Sequence, residues 1–376
     1  MKLPETKIEQ LTVAPKRRVL VTSDVHGHLG HLEKVLEMAG FCRSDLLVIV
    51  GDLLEKGPHS LGVLRKVMAL CESGNAVCVI GNVDAYRLHI IQGLCEETAE
   101  ELWQYVAACR GWYGTSFYEE LAVGCGHVLN CKEDVLQAKG DILEHFREEL
   151  DFLASLPTVL ETDNYVFVHG GLKKQAVADN ALCGVFELTK YDAFADRTPF
   201  VFDKWVVVGH WPVALFGERI QQYDPVKNYE KRILSIDGGC GIKEEGQLNL
   251  LILPHIGCSV EEITHLSYDD LPKVKALEAQ EGDEDSLFIS WITRHVEVLE
   301  KGEEFTYVRH LHSGRELWVP NVYFYKETEC LDYSDHRLPV EAGEVLSLSR
   351  RTSKGCIVKK NGVVGWYCGA VEELPS

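Results

Sequence analysis

Five short apolar segments each stop abruptly at a polar or glycine-containing corner, and this feature constrains the fold more than any other. Their hydrophobicity is continuous rather than alternating, which is typical of β-strands that are covered on both faces. In chain order the segments are "RVLVTSD" (18–24), "LLVIVGD" (46–52), "VCVIGN" (77–82), "YVFVHGG" (165–171) and "WVVVGH" (205–210). The sequence therefore predicts a buried sheet with parallel strands.

Helical patterns separate the first three of these segments. One apolar stripe ends at Gly40 and a second near Gly74, as expected for amphipathic helices that stop at a glycine. The stripes are formed by Leu29, Leu32, Val35, Leu36 and Ala39, and by Leu61, Leu64, Val67 and Met68. Strands that alternate with helices predict βαβ units and the α/β fold class.

The α/β pattern extends over 17–272, after an N-terminal extension at 1–16. Between 86 and 156 it gives way to mainly helical segments, which predicts a helical insertion on one side of the sheet. The later segments "RILSID" and "LNLLIL" are linked through "GGCGIKEEGQ" and are interpreted as a final hairpin-like pair of strands.

The C-terminal part of the chain has a different composition and a different hydrophobic pattern. Residues 273–288 are acidic and carry no apolar stripe, so they are interpreted as a linker. From 289 to 376 short alternating strands and glycine turns, including Asn361-Gly362, predict a small β-barrel that resembles a bacterial SH3-type module and is weakly duplicated. Such a module is expected to bind a protein partner, cover the site, mediate self-association or serve as a structural appendage.

Charge and cysteine content narrow the classes of partner. Lys plus Arg is 38 and Asp plus Glu is 58, a formal net charge of −20, which argues against nucleic acid and anionic membrane surfaces as partners. The 13 cysteines include no CxxC pair and are interpreted as reduced thiols. Without a secretion signal or membrane-spanning stretch in the sequence, a cytoplasmic location is expected.

The corners themselves carry potential metal ligands. Ends of parallel strands lie along one edge of a sheet, where α/β proteins bind ligands. A single Asp or His at such a corner is more often a helix cap or a loop residue, but six together favour a site for two metal ions. Carboxylate, imidazole and amide donors without thiolate suit Mn²⁺, Fe or Zn²⁺. The six residues are Asp24, His26, Asp52, Asn82, His169 and His210.

The ordered motifs "DVHGH", "GDLLEKGP", "GNVD", "HGGL" and "GHWP" resemble those of the calcineurin-like metallophosphoesterases. The phosphoprotein-phosphatase branch, which includes bacterial dinucleoside-tetraphosphate hydrolases, is most similar. The resemblance covers Arg18 to Leu253 and implies a four-layer α/β/β/α sandwich. It also implies that one metal is bound by Asp24, His26 and Asp52 and the other by Asp52, Asn82, His169 and His210. A hydroxide that bridges the two metals is then expected to attack phosphorus.

Val83 is the main departure from the family pattern. The family has a histidine here that donates a proton to the leaving group, a contribution of about 10²–10⁴ in rate. Three explanations stay open: a water or a histidine such as His28 or His59 replaces the acid, the leaving group needs none, or the domain binds phosphate without turnover.

Four further residues complete the predicted site. Lys56 and Arg197 are interpreted as phosphate contacts in addition to the metal ligand Asn82. Lys56 is chosen because Glu55-Lys56 stands where the family has Asp-Arg. Glu55 and Asp84 are predicted to be catalytic residues, as are Asp52 and Asn82. The reason is that in the family the residues at these two positions support the histidine that is missing here.

The sequence thus predicts a two-metal phosphoesterase that acts on phosphomonoesters, including phosphoserine or phosphothreonine in proteins. A phosphodiesterase or dinucleoside-polyphosphate hydrolase is the alternative enzyme. A catalytically weak phosphate-binding or scaffold protein is the alternative from another class.

Overall fold

The structure is a computed structural model that describes residues 5–375. These residues form two compact units, and the chain passes between them more than once. The first unit comprises the described residues up to Trp211, Pro225–Ile242 and Leu248–Tyr268, and the second comprises Pro212–Asp224, Lys243–Gln247 and the described residues from Asp269 onward.

Helices belong mainly to the first unit. The α-helices are α1 Leu29–Met38, α2 Ser60–Glu72, α3 Asn82–Gly93, α4 Glu96–Tyr113, α5 Phe117–Gly124, α6 Lys132–His145, α7 Arg147–Ser155, α8 Val185–Thr189 and α9 Phe194–Arg197. Short 3₁₀ helices occur at Val177–Leu182, Val213–Phe216 and Asn321–Tyr323.

Strands occur throughout the described chain. Those that begin before residue 269 are β1 Ile8–Gln10, β2 Val19–Thr22, β3 Leu46–Val50, β4 Ala76–Val79, β5 Val159–Glu161, β6 Tyr165–Val168, β7 Trp205–Val208, β8 Gln221–Gln222, β9 Val226–Asn228, β10 Ile233–Ser235, β11 Leu248–Leu253 and β12 Thr264–Tyr268. The later strands are β13 Lys273–Ala276, β14 Phe288–Ile289, β15 Val296–Lys301, β16 Phe305–His310, β17 Glu316–Pro320, β18 Phe324–Lys326, β19 Glu329–Cys330, β20 Tyr333–Ser334, β21 Val345–Thr352, β22 Gly355–Lys360, β23 Val363–Tyr367 and β24 Val371–Glu373.

Two sheets form the first unit. One has the order β12-β11-β2-β3-β4, in which β2, β3 and β4 are parallel and β11 is antiparallel to β2. The other has the order β1-β5-β6-β7-β10-β9, with β6, β7 and β10 parallel. In each sheet the carboxyl ends of the parallel strands lie at one edge, which is where the polar corners of the sequence fall.

The two faces of β2 show why its sequence is apolar throughout. Val19 and Val21 pack in a core shared with Phe167 of the other sheet, whereas Leu20 packs in the core that includes Leu32 of α1. Because both faces are covered, the strand needs apolar residues at consecutive positions. The predicted α/β sandwich is confirmed.

Helices α3 to α7 occupy Asn82–Ser155, where the sequence predicts the helical insertion. The hairpin-like pair predicted after it is wrong. The strand of "RILSID", β10, pairs in parallel with β7 in one sheet, and that of "LNLLIL", β11, pairs with β2 in the other. The glycine-rich connection therefore runs between the two sheets instead of turning within one.

Domain boundaries in the structure also differ from those inferred from sequence. The segments Pro212–Asp224 and Lys243–Gln247 belong to the second unit although they lie inside 17–272. The segment interpreted as a linker contains β13, which pairs with both β21 and β24. In the N-terminal extension, β1 pairs in parallel with β5.

The described residues of the second unit contain β-strands and only short 3₁₀ helices. Its largest sheet has the order β24-β13-β21-β22-β23-β8, and β15, β16 and β17 form a smaller antiparallel sheet. The predicted Asn361-Gly362 turn joins β22 to β23, with φ of 48° and 72° at the two turn residues. Positive φ at both positions is what a two-residue turn of this type requires. The resemblance to an SH3-type barrel stays a prediction.

Two sequence expectations concern the chain as a whole. Among residues 5–375, no helix combines the length and apolar character needed to cross a bilayer. All 13 cysteines lie within the described residues and are free there; their interpretation as reduced thiols stays a prediction.

An ion pair between half-buried Arg18 and buried Asp45, at the start of β2, gives a pH-dependent prediction. Asp45 accepts hydrogen bonds from Arg18 Nη2 at 2.6 Å and from the Cys42 N–H at 2.9 Å. Burial opposes ionisation, but these donors hold the pKa of Asp45 below its ordinary 3.8. The stabilisation is therefore present above pH 3.8 and is lost as pH falls through the lower pKa of the folded state. We expect Asp45→Asn to lower the free energy of unfolding by about 1–3 kcal/mol at pH 7, in urea titrations. An equal difference at pH 7 and below the folded-state pKa would contradict this.

Candidate functional site

Asp24, His26 and Asp52 meet just beyond the ends of β2 and β3. His26 Nε2 lies 3.8 Å from Asp24 Oδ1 and 3.7 Å from Asp52 Oδ2, and all three side chains are buried. One ligand atom from each residue lies within 4.8 Å of the others. This spacing allows the three side chains to chelate a single cation after small adjustments.

His169, Asn82 and His210 lie on the other side of Asp52. His169 Nε2 is 3.4 Å from Asp52 Oδ2 and 3.0 Å from Asn82 Oδ1. The rings of His169 and His210 are 5.4 Å apart between centroids, and the His210 backbone N–H donates to Asp24 Oδ2 at 3.1 Å. The structure thus brings all six predicted ligands together and places the Asp52 carboxylate between His26 and His169.

Each of the three imidazoles is oriented by a hydrogen bond from its other nitrogen. The Nδ1 atoms of His26 and His169 lie 3.1 Å and 2.8 Å from backbone carbonyl oxygens, and His210 Nε2 lies 2.8 Å from Asp192 Oδ1. A carbonyl can only accept, so Nδ1–H donates in His26 and His169, and Nε2 is the nitrogen that faces the other side chains of the centre. In His210 the carboxylate fixes Nε2–H and leaves Nδ1 without a proton. This outer hydrogen bond is characteristic of metal-binding histidines.

Strained backbone concentrates at the same place. Six of the ten non-glycine residues with positive φ in the described chain lie in or beside this group, with φ between 47° and 66°: Asp24, His26, Asp52, Glu55, Lys56 and His210. Such conformations cost on the order of 1–3 kcal/mol each and persist where the surrounding structure enforces them, which is common at functional sites.

Close approach to Asp52 requires glycine at position 81, and this gives a testable prediction. A Cβ on Gly81 would lie 2.1 Å from both the backbone N and Oδ1 of Asp52. We expect Gly81→Ala to displace Asp52 and to destabilise the protein by about 1–3 kcal/mol or more. Gly93, at the other end of α3, is the matched control because a Cβ there meets nothing within 4 Å. Gly93→Ala is expected to be neutral or stabilising by about 0.5–1 kcal/mol. Equal melting temperatures for the two variants would contradict this.

Buried carboxylates outnumber the cations that could neutralise them. Burial and the neighbouring Asp237 raise the pKa of Asp24 well above its ordinary value, and burial raises the pKa of Asp237 to about 6. Burial also opposes ionisation of Asp52, but His169 and His26 hold its pKa far below the usual range. Asp237 Oδ2 is buried and has no hydrogen-bond partner among residues 5–375. A group of buried acids with an unpartnered oxygen fits divalent cations.

The structure places the two basic residues that were predicted to contact phosphate, Lys56 and Arg197, differently with respect to the centre. Lys56 Nζ lies 3.2 Å from His26 Nε2, so its ammonium reaches the centre. Arg197 is exposed at the end of α9, and no described contact joins it to these side chains. A position in the sequence could not show which way this short helix presents its arginine.

Glu55 and Asp84 are tied to partners other than a histidine. Asp84 is fully buried and accepts hydrogen bonds from the N–H groups of Leu53, Leu54 and Gly81 at 3.0–3.2 Å. It therefore fastens the loop that carries Asp52 to the start of α3. Glu55 is 1% exposed and forms an ion pair with Arg87, whose Nε lies 2.9 Å from Glu55 Oε1.

Val83 forms part of the wall of a cavity of about 610 Å³ next to Asn82. Its backbone N–H donates to Asp52 Oδ1 at 2.9 Å, a contact that is independent of the side chain. The other lining residues are Tyr86, Arg87, Lys173, Phe186, Glu187 and Lys190. The histidines considered as substitute acids do not line this cavity: His59 is exposed before α2, and His28 Nε2 lies 3.2 Å from the Lys56 carbonyl oxygen.

Three residues of this region were not predicted. Asp237 ends "RILSID", two residues after the last residue of β10, so it could have been recognised as another carboxylate that follows an apolar strand. Arg87 is four residues after Val83, which on a helix places both on one face. Asp192 has no comparable signal, because its link to His210 depends on the tertiary fold.

Comparisons with known proteins agree with the motifs. The family model described as "Calcineurin-like phosphoesterase" matches residues 17–237, more than half of the chain. A "Bis(5'-nucleosyl)-tetraphosphatase, symmetrical" of Dechloromonas aromatica is 27% identical over 237 residues, 62% of this chain and 72% of that protein. A protein of the same name from Psychromonas ingrahamii is 44% identical over 75 residues, 20% of this chain. The chain thus spans only 26% of the length of that relative.

Solved structures give weaker similarities. A protein serine/threonine phosphatase from Saccharomyces cerevisiae superposes with a TM-score of 0.43 at 11% identity and covers 71% of this chain and 84% of its own.

Proposed function

This chain belongs to the calcineurin-like phosphoesterase family, whose members are metal-dependent phosphoester hydrolases, and we propose that it hydrolyses phosphate esters with two divalent ions. The observation that carries the proposal is the convergence of six ligand side chains on the Asp52 carboxylate. Asp52 Oδ2 lies 3.7 Å from His26 Nε2 and 3.4 Å from His169 Nε2. One carboxylate between two imidazoles suits a ligand shared by two ions.

The proposed ligands divide into two sets, one on each side of the Asp52 carboxylate. Asp24, His26 and Asp52 would hold one ion, and Asp52, Asn82, His169 and His210 would hold the other. Their oxygen and nitrogen donors suit Mn²⁺, Fe or Zn²⁺. When bound, such ions polarise the phosphoryl group and lower the pKa of water so that a nucleophile is available at neutral pH.

The side chains of the protein then have distinct roles. The outer hydrogen bonds of the three histidines keep one nitrogen of each ring directed at the centre. Lys56 brings a positive charge next to His26, where it attracts a phosphate oxygen as a point charge. Asn82, at the start of α3, presents its amide oxygen to the centre on the side of the cavity. Asp84 supports this arrangement through the backbone and moves no proton.

Phosphomonoesters, including phosphorylated serine or threonine in proteins, are the first proposed substrates. The cavity beside Asn82 has room for a side chain or another small leaving group, and Lys173 and Lys190 provide positive charge on its wall. Dinucleoside polyphosphates are the second candidate, favoured by the names of the two relatives.

A panel of substrates tests the function. The full-length protein is treated with a chelator, reloaded with Mn²⁺, Fe²⁺ or Zn²⁺, and assayed with aryl phosphomonoesters, aryl diesters, a phosphoserine peptide and a dinucleoside tetraphosphate. We expect turnover that is lost with the chelator and restored by metal. Preference for the monoester or for the tetraphosphate decides between the two substrate classes. Two bound ions without turnover of any substrate would instead identify a phosphate-binding protein.

A further inference from the structure

We propose that Arg87 contacts the leaving group of the bound substrate and stabilises the negative charge that develops on its oxygen. This inference rests on the proposed phosphoesterase function and concerns how the site works without a histidine at position 83. An arginine cannot act as a general acid, because a guanidinium does not give up its proton in proteins. It can still stabilise an anion that leaves with its electron pair.

The position of Arg87 is the first argument. Arg87 lies one helical turn after Val83 on α3, and both residues line the cavity that begins at Asn82. Asn82 is a ligand of the proposed centre, so a phosphoryl group held there places its leaving group in this cavity. Val83 contributes an apolar wall at the point where the family has its proton donor.

The way in which Arg87 is held is the second argument. Its Nε is paired with Glu55 Oε1 at 2.9 Å, and its guanidinium carbon lies 3.7 Å from the centre of the Tyr105 ring. Stacking on the Tyr105 ring and the charge of Glu55 hold the group in place, although Arg87 Nε and Glu55 Oε1 lack hydrogen-bond geometry. Among residues 5–375, no hydrogen bond engages Nη1 or Nη2 of Arg87, and the residue lines the cavity. A fixed cation with unused donors beside a reaction centre is suited to electrostatic stabilisation.

The chemistry of the cavity indicates the class of leaving group. Tyr86 and Phe186 provide aromatic surface, and Lys173 and Lys190 add positive charge. Glu187 also lines the cavity, but its Oε2 accepts a hydrogen bond from the Gly184 N–H at 2.7 Å at the start of α8. The site therefore offers positive charge and aromatic surface to a leaving group on which negative charge develops.

The step balances without a protein acid. The oxygen of water forms a bond to phosphorus and its proton passes to solvent. The bond between phosphorus and the leaving oxygen breaks, and this oxygen keeps the electron pair. Arg87 stabilises the resulting anion, which takes a proton from solvent only after it has left.

Aryl phosphates of increasing leaving-group pKa test this role. We expect Arg87→Gln to reduce kcat for phenyl phosphate by about 10²–10³-fold but to change kcat for p-nitrophenyl phosphate much less, with KM little affected. Arg87→Lys keeps the charge, so its kcat for phenyl phosphate is expected to lie between those of the wild type and Arg87→Gln. It also provides a second variant if removal of the charge beside Glu55 prevents folding.

Arg110 offers a matched control. It is ion-paired with Glu119 and lies 5.3 Å from the centre of the Trp103 ring, but it does not line this cavity. Arg110→Gln is expected to leave the leaving-group dependence unchanged. The inference would be overturned if Arg87→Gln reduced kcat equally for all aryl phosphates, or if Arg110→Gln made kcat depend on the leaving-group pKa as steeply as Arg87→Gln does. Either result would leave the phosphoesterase function standing. A wild-type protein without metal-dependent turnover would overturn both.

A different observation carries a second inference: we infer that His28, His31 and Cys240 form a zinc site separate from the two-metal centre. One ligand atom of each lies within 4.8 Å of the others. The ligand atoms of a tetrahedral zinc site are about 3.3–3.6 Å apart by its bond lengths, so shifts of about an ångström close the group. Two imidazoles and a thiolate are a donor set that zinc prefers and Mn²⁺ does not.

Local structure supports this group. His28 and His31 are three residues apart at the start of α1, which is the spacing for neighbours on a helix. Their rings are 4.9 Å apart, and Tyr268 packs edge-on against His31 at 5.1 Å. Cys240 is buried in the glycine-rich connection after β10.

Cobalt substitution distinguishes thiolate ligation from binding at the oxygen- and nitrogen-lined centre. We expect the full-length protein with Co²⁺ to show a near-ultraviolet thiolate-to-cobalt charge-transfer band. The band should disappear in Cys240→Ser, weaken in His31→Ala and persist in Cys258→Ser, which changes another buried cysteine of the same unit. A wild-type protein without the band, or a band that survives Cys240→Ser, would overturn the inference.

Discussion

Asp52→Asn is expected to abolish metal-dependent turnover. The substitution keeps the shape of the side chain and the oxygen that accepts from the Val83 N–H, but it removes the negative charge between His26 and His169. Because both ions depend on this carboxylate, the loss of kcat should exceed the roughly 10–100-fold that loss of an outer-shell partner costs. Metal content by mass spectrometry, counted without the zinc assigned to His28, His31 and Cys240, should fall from two ions per chain, while the far-ultraviolet circular dichroism spectrum stays that of the wild type.

Asp192→Asn provides the graded comparison. Asp192 accepts from His210 Nε2 at 2.8 Å and does not belong to the proposed ligands. Its loss is expected to lower activity by about 10–100-fold through the orientation of His210. If Asp52→Asn retained more activity than Asp192→Asn, Asp52 could not be the shared ligand.

Val83→His is expected to raise kcat for esters with poor leaving groups. A general acid contributes about 10²–10⁴ in rate, and position 83 lies on the cavity wall beside Asn82. The gain should lie near the lower end, about 10²-fold, because Glu55 is already paired with Arg87 and does not orient the new imidazole. Phenyl phosphate measures the effect, and p-nitrophenyl phosphate should show little of it.

Val83→Leu controls for the change in size at this position. It is expected to leave the preference among aryl phosphates unaltered, because leucine adds volume but no group that can donate a proton. A histidine variant that gains nothing over the leucine variant with phenyl phosphate would show that the missing acid does not limit this enzyme.

The candidate metal ligands could be predicted from sequence because the information is local. Each ligand follows a continuously apolar strand, and the ends of parallel strands share an edge, so the strand pattern alone placed Asp24 and Asp52 near each other. The same reasoning failed for β10 and β11. Their proximity in sequence suggested a hairpin, but each strand gains partners in a different sheet, and no local pattern encodes that choice.

Contacts between distant side chains were beyond the sequence pattern. The ion pair of Glu55 with Arg87 joins the loop after β3 to α3, and it depends on how tertiary packing positions these elements. The strand at Lys273–Ala276 was missed for another reason: its alternating pattern is only four residues long, and the acidic residues that follow it dominated the interpretation.

The path of the chain has a practical consequence for dissection by truncation. Pro212–Asp224 and Lys243–Gln247 belong to the second unit. A protein cut after Tyr268 would therefore keep these two segments without the rest of the unit that they pack in. β8 would lose its partner β23 and present an unpaired strand edge to solvent, a hazard for aggregation. An isolated first unit would therefore need both segments replaced by short loops, and the second unit cannot close until β24 has been synthesised.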